Sequence, residues 1–258
     1  MRSKFGVLLA AVLCATMIAG CSKKPEEKLI VGLDDTFAPM GFRDEGNNLV
    51  GFDIDLATAV GEQMGVTIEF QPIDWDSKEM ELEAKNIDCI WNGMSRTPKR
   101  EEEMTLSQNY LNNRIIIMTV PGVEITSKDQ LADYQIGTQA KSSALEVIQE
   151  DEVFYDGIKN NLSEYPTYDE CILDMQAGRV QIMIVDEVLG EYKNNNLDSK
   201  FTVSAVDFGE DFYTIGFRKQ DTELCKRVED ALKAVCDSGK GAEISEKWFG
   251  TNLLLEME

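Results

Sequence analysis

Arg100 closes the stretch IDCIWNGMSRTPKR, residues 87–100, in a chain whose net charge is −22. A guanidinium stays charged at any physiological pH and meets a carboxylate in a two-pronged fork. Ser95 lies five residues earlier and could add a donor. Ser142 and Ser143 open the helical pattern SSALEVIQE, where free N–H groups and the helix dipole favour an anion. Asp186 follows the apolar run VQIMIV and could hold an ammonium group. Arginine on one wall of a cleft and aspartate on the other would suit the two charges of an α-amino acid. Each residue also has a plainer reading, Arg100 as a surface cation beside Glu101, Glu102 and Glu103, and Asp186 as a helix N-cap. Asp34 ends a first β-like run, Phe37 lies in the loop after it, and Trp75 follows a third. A carboxylate and two aromatic rings could grip a flat or cationic side chain, or the rings could belong to the core.

These residues need strands and helices to carry them. KLIVGLD (28–34), VTIEFQPI (66–73), IDCIW (87–91), NRIIIMTV (113–120), YQIGTQ (134–139), VQIMIV (180–185) and FYTIGFRK (212–219) read as strands. IDCIW is expected to end in a turn at Gly93. LVGFDIDLATAVGEQMG (49–65) runs from a strand into a helix whose apolar face is Ile54, Leu56, Ala57, Val60 and Met64. SKEMELEAKN (77–86) is predicted as a helix capped by Ser77, and YDECILDMQAG as a helix ending at Gly178. Two further helices close the chain. Strands alternating with helices predict an α/β fold with largely parallel sheets. LEAKNIDCIW (82–91) and MQAGRVQIMI (175–184) echo one another: helix end, turn, apolar strand. The echo places Asn92 and Asp186 just beyond a strand end, where ligands of open α/β sheets bind.

The totals narrow the chemistry. A chain of 258 residues, 43% of them hydrophobic, allows one large domain or two lobes of about 100 residues each. The acidic balance argues against a nucleic-acid partner and suits attraction of cationic solutes. The sequence contains no histidine, which removes Ser-His-Asp and Cys-His catalysis and most zinc chemistry. Neither a metal nor a cofactor is expected. Residues 1–20, basic at Arg2 and Lys4 and then apolar, read as a secretory leader. Ile18-Ala19-Gly20-Cys21 resembles the bacterial lipobox, which makes Cys21 a lipid attachment point and residues 21–28 a polar tether. Cys225 and Cys236 share a helical face roughly 16 Å apart, too far for a disulfide. With Cys89 and Cys171 they read as small core residues.

GLDDTFAPMGF, LVGFDIDLA, KNIDCIWNGMSRTPKR, GTQAKSSAL and AGRVQIMIVDEV follow in an order and spacing that resembles the extracytoplasmic solute-binding proteins of polar amino acid ABC importers. The resemblance runs from about Lys28 to the end. It implies a two-lobed periplasmic-binding-protein fold of type II, with two hinge crossovers and a ligand cleft between the lobes. Lobe one would take 29–111 and 213–258, and lobe two 112–212. By this resemblance Arg100 and Ser95, with the backbone at Ser143, hold a substrate carboxylate. Asp186 holds the ammonium, helped by the strand end at Gly93, Met94 and Ser95. Asp34, Phe37, Trp75 and Gln139 surround the side chain, and Asn92 and Ser142 line the cleft. Asp35, the Asn92-Gly93 pair and Lys141 depart from the commoner family pattern and bear on side-chain selectivity.

The resemblance implies a lipid-anchored monomer that passes its amino acid to membrane permease subunits. Asp34, the aromatic rings and the acidic surface favour a basic side chain, arginine or lysine; glutamine or cystine is the alternative. A dehydratase of the same fold would need a general acid, and Asp186 and Asp34 are the available candidates. A sensor domain is a third reading; no segment after the leader is long and apolar enough to span a bilayer.

Overall fold

The computed structural model describes residues 27–198 and 200–257. The leader 1–20, the lipid-attachment residue Cys21 and the tether up to residue 26 lie outside the described residues. In chain order come β1 (Lys28–Leu33), β2 (Thr36–Phe37), β3 (Gly41–Arg43), β4 (Leu49–Val50), α1 (Phe52–Met64), β5 (Thr67–Pro72), α2 (Lys78–Glu83), β6 (Cys89–Ser95), α3 (Pro98–Glu103), β7 (Thr105–Leu106) and β8 (Leu111–Thr119). Then follow β9 (Ile136–Gln139), α4 (Ser143–Glu150), α5 (Glu152–Ile158), β10 (Leu162–Tyr165), α6 (Tyr168–Gln176), β11 (Ile182–Asp186), α7 (Glu187–Asn195), β12 (Thr202–Phe217), α8 (Thr222–Asp237) and α9 (Lys240–Phe249). The first strand starts at Lys28, so the ordered fold begins one residue inside the expected tether.

Among the described residues, nine strands form one mixed sheet in the order β10–β9–β11–β8–β12–β6–β1–β5, with β7 paired to β12, and β2–β3–β4 form a small separate antiparallel sheet. Strand β1 runs parallel to β5 and β6, and β9 runs parallel to β10 and β11. The apolar runs of β6 and β11 suit such a two-sided environment, and both strands are buried throughout. Each occupies the same place in its lobe, preceded by a helix (α2 or α6), so the sequence echo is an architectural repeat. The chain passes between the lobes along β8 and again along β12. These two pair antiparallel from Thr202↔Thr119 to Tyr213↔Leu111, and from Tyr213 onward β12 pairs with β6. Helices α8 and α9 pack back onto α1.

Three local expectations are corrected. Strand β12 spans sixteen residues rather than starting at 212; its first half mixes polar and apolar side chains, none of them buried, and is a strand because it pairs with β8. Gly93 does not end β6. The strand continues to Ser95 through a register shift against β12, with Gly93 at φ +55°. A Cβ at Gly93 would stand 2.9 Å from Phe37 Cε1 and 3.2 Å from Tyr213 Cε2, so both space and backbone favour glycine. Ser77 does not cap α2: it ends a 3-10 turn over Trp75–Ser77 in a helical conformation, whereas a cap needs an extended one.

Asp53, in the first turn of α1, ties this bulge to the crossover. Its buried carboxylate accepts the Gly93 N–H at 2.7 Å and the Tyr110 hydroxyl at 2.9 Å, and Tyr110 immediately precedes β8. Burial pushes the Asp53 carboxyl up to about 7 against those hydrogen bonds. Between its ordinary range and pH 7 the unfolded chain releases this proton while the folded chain keeps it. Stability contributed by Asp53 is therefore present at low pH and lost as pH rises toward 7. Denaturant titrations at pH 5 and pH 8 should show a larger loss in wild type than in Asp53→Asn; equal losses would mean that Asp53 is ionised throughout.

Candidate functional site

The site is assembled from strand ends. Asp34 follows β1, Asn92 to Ser95 complete β6, Gln139 ends β9 and Asp186 ends β11. These are carboxyl ends of parallel strands, the position at which α/β sheets bind ligands. Helix α3 follows β6 closely, with Thr97 as N-cap accepting the Arg100 N–H at 3.2 Å and Pro98 in the first turn. Helix α4 follows β9 in the same way, with Ser142 as N-cap accepting the Leu145 N–H at 3.1 Å.

Arg100 is almost fully buried. Its Nη1 donates to the Ser95 carbonyl at 2.8 Å, and its Nη2 lies 3.4 Å from Glu146 Oε1 on α4. The buried Nε of Arg100 and Nδ2 of Asn92 have no hydrogen-bond partner within the protein. The side-chain Oδ1 of Asn92 accepts the Asp34 N–H at 3.2 Å. Asp34 accepts from the Thr36 hydroxyl at 2.7 Å and from Gln139 Nε2 of the other lobe at 2.7 Å. Burial raises the Asp34 carboxyl above its ordinary value, opposed by those hydrogen bonds. The lobes also meet at Ser95 and Ser143, whose hydroxyl oxygens are 2.9 Å apart. They meet again where Thr97 donates to Glu146 at 2.6 Å, and where the Phe37 ring tilts against Tyr168 at 6.2 Å.

Opposite the arginine lie two carboxylates. Asp186 Oδ1 accepts from Asn113 Nδ2 at 2.9 Å and from the Tyr213 hydroxyl at 3.1 Å. Asp211 Oδ2 accepts from the same Asn113 nitrogen at 2.7 Å and from the Ser95 hydroxyl at 2.6 Å. Burial, and then the neighbouring Asp211 charge, raise Asp186. Burial raises Asp211, against the Ser95 and Asn113 hydrogen bonds and the Arg100 charge.

The structure thus brings together Asp34, Phe37, Asn92, Gly93, Ser95, Arg100, Gln139, Ser142, Ser143 and Asp186. Two expected site side chains go elsewhere. Met94 turns into an apolar cluster with Leu82, Ile87, Ile90 and Met104, beyond the irregularity of β6 at Gly93 that breaks its alternation with Asn92. Trp75 belongs to the same cluster, with Lys78 Nζ 4.9 Å from its ring centroid. Lys78 is itself buried, and burial, together with the Arg100 charge, brings its ammonium down to about 8. Asn113, Asp211 and Tyr213 were not anticipated; their signal was a polar residue at the mouth of each crossover strand. Glu146, facing Arg100, was hidden among other acidic residues of a helix.

Residues 29–251 match the family model of bacterial extracellular solute-binding proteins, family 3. The chain belongs to this family. It is 28% identical over 245 residues to the arginine-binding extracellular protein ArtP of Bacillus subtilis, covering 94% of each chain. It is 25% identical over 262 residues to the L-cystine-binding protein TcyJ of Escherichia coli K12, covering 95% of this chain and 96% of that one. A solved Streptococcus pneumoniae ABC uptake transporter substrate-binding protein with bound histidine superposes with a TM-score of 0.83. The two share 35% identity, over 89% of this chain and 95% of that one. Such family members are extracytoplasmic binding proteins with the two-lobed type II fold, and their amino acids differ. Among the described residues no helix is long and apolar enough to cross a membrane, and no cluster of three metal-ligating side chains occurs.

Because Trp75 packs in the core cluster, Trp75→Ala should cost about 3–5 kcal/mol of stability. Equilibrium denaturation measures this; a loss below about 1 kcal/mol, within the range of an ordinary surface change, would return the ring to the cleft wall.

Proposed function

We propose that this protein captures a polar α-amino acid outside the cytoplasm and delivers it to an ABC importer. The observation that carries the reading is a buried arginine on α3 and a buried carboxylate pair from β11 and β12, gathered at one seam. Arg100 and Ser95, with the backbone at Ser143, hold the carboxylate. Asp186 holds the ammonium. Asp34, Phe37 and Gln139 read the side chain, while Asn92 and Ser142 line the cleft. Burying an ion is favourable only when it is paired and hydrogen-bonded, so each ligand charge has a matching protein charge.

The ligand is a basic amino acid, arginine or lysine, because Asp34 is buried beside Phe37 and its protein partners are neutral donors. The names of similar proteins include arginine, histidine and cystine binders, so the side chain is the finer part of the proposal. The lobes divide at 111/112 and 212/213. The register supports this: Leu111 pairs with Tyr213, the residue at which β12 also meets Ser95 of β6. Since Asp34 and Gln139 touch at 2.7 Å, a ligand reaches Arg100 only when the lobes part and then close again about β8 and β12. The mature protein is a monomer anchored through lipid at Cys21. It binds rather than transforms its ligand, because Asp186 and Asp34 both serve as partners for positive charge.

A refolded fragment, residues 22–258, should be screened by thermal shift against the twenty amino acids, ornithine and cystine. A ligand that binds only the native state raises the melting temperature with concentration. Stabilisation by arginine, lysine or ornithine is expected. A shift with glutamine, histidine or cystine instead would retire the basic side chain and keep the transporter. Arg100→Ala should weaken binding at least about 100-fold, in line with the 3–5 kcal/mol lost when one partner of a buried pair is removed. Lys99→Ala, at an exposed neighbour, should leave binding unchanged. Equal affinity of Arg100→Ala and wild type would overturn the clamp.

A further inference from the structure

We propose that Asp211 makes this site demand a protonated α-amino group and couples the arrival of that group to closure of the lobes. The proposal rests on the amino acid reading above. Asp211 lies on β12 directly opposite Asn113 on β8, so the two crossover strands themselves supply part of the site. One amide nitrogen, Asn113 Nδ2, bridges both carboxylates, at 2.7 Å from Asp211 and 2.9 Å from Asp186. Ser95 of the first lobe donates to the same Asp211 oxygen at 2.6 Å and stands 2.9 Å from Ser143 of the second. Asp211, on the second-lobe side of the 212/213 division, therefore ties the crossover strands through Asn113 and grips the first lobe through Ser95.

Asp186 accepts from two neutral donors, Asn113 and Tyr213. Those of Asp211 are Ser95 and Asn113. Two carboxylates bridged by one amide repel when both are ionised, and removing water strengthens that repulsion. Bringing Ser95 and Ser143 together buries the pair, so closure without a cation is opposed. An ammonium group between the carboxylates cancels the repulsion and makes closure favourable. A 2-hydroxy acid with the same side chain offers Arg100 the same carboxylate but brings no cation. Asp186 alone would bind the ammonium. Asp211 adds the cost that rejects every ligand lacking it, which is selectivity through an uncompensated charge.

The test compares wild type, Asp211→Asn and the control Asp207→Asn, a partly exposed carboxylate on the same strand that pairs with Arg114. Calorimetry measures L-arginine and L-lysine, each against its 2-hydroxy analogue, and small-angle scattering measures the ligand-free proteins. Asp211→Asn should cut the preference for the amino acid at least about tenfold, largely by improving affinity for the hydroxy acid. It should also make the ligand-free protein more compact, and Asp207→Asn should change neither quantity. Asp211→Ser replaces Asp211→Asn if the latter does not fold. An unchanged preference with unchanged ligand-free dimensions would overturn the role of Asp211 and leave the amino acid reading standing. If wild type binds neither amino acid, the specific ligand fails, and scattering alone decides whether Asp211 opposes closure.

Discussion

Strand β8 lies against β12 along the length of both crossovers, and most of what the site does depends on that pairing. The two strands pair antiparallel from Thr202↔Thr119 to Tyr213↔Leu111, with register shifts between Val203 and Gly209. The register sets Asn113 opposite Asp211 and Leu111 opposite Tyr213. Three of these four residues (Asn113, Asp211 and Tyr213) hydrogen-bond within the carboxylate cluster. The paired crossover strands and the buried carboxylate cluster therefore share residues.

Around these strands the charges are arranged by burial. Arg100 comes from the first turn of a helix that follows β6, and the paired carboxylates come from β11 and β12. In a water-poor seam each of these groups would be costly alone. Their protein partners satisfy much of the hydrogen bonding, yet the Nε of Arg100 and the Nδ2 of Asn92 remain without one. The acidic chain as a whole, at −22, adds a long-range field that favours approach of cationic solutes over anionic ones. Behind the site, Asp53 fixes the Gly93 bulge and the start of β8 together, so the shape of β6 is linked to the crossover strand from the rear.

Much of this was legible in the sequence because it is written in local patterns. IDCIW and VQIMIV are apolar runs too strong to misread, and the polar residues after them, Asn92 and Asp186, face the seam. Ser142 capped its helix as its position suggested. Trp75 and Met94 were misplaced because an aromatic ring or thioether beside a polar segment carries no mark of which side of the strand it faces. The first half of β12 was missed because its burial is partial and its side chains mixed; it is a strand on account of its long-range partner β8. Asp211 and Asn113 gain their meaning only from being opposite one another across 98 residues of chain.

The central claim is that one seam holds both ends of an α-amino acid, with its carboxylate on Arg100 and its ammonium on Asp186. A crystal structure of the protein with its stabilising amino acid tests this most directly. The account requires the ligand carboxylate within hydrogen-bond distance of the Arg100 guanidinium and the ligand nitrogen within hydrogen-bond distance of Asp186. A ligand bound in the reverse orientation, or seated elsewhere with Arg100 still held by Ser95 and Glu146, would contradict it.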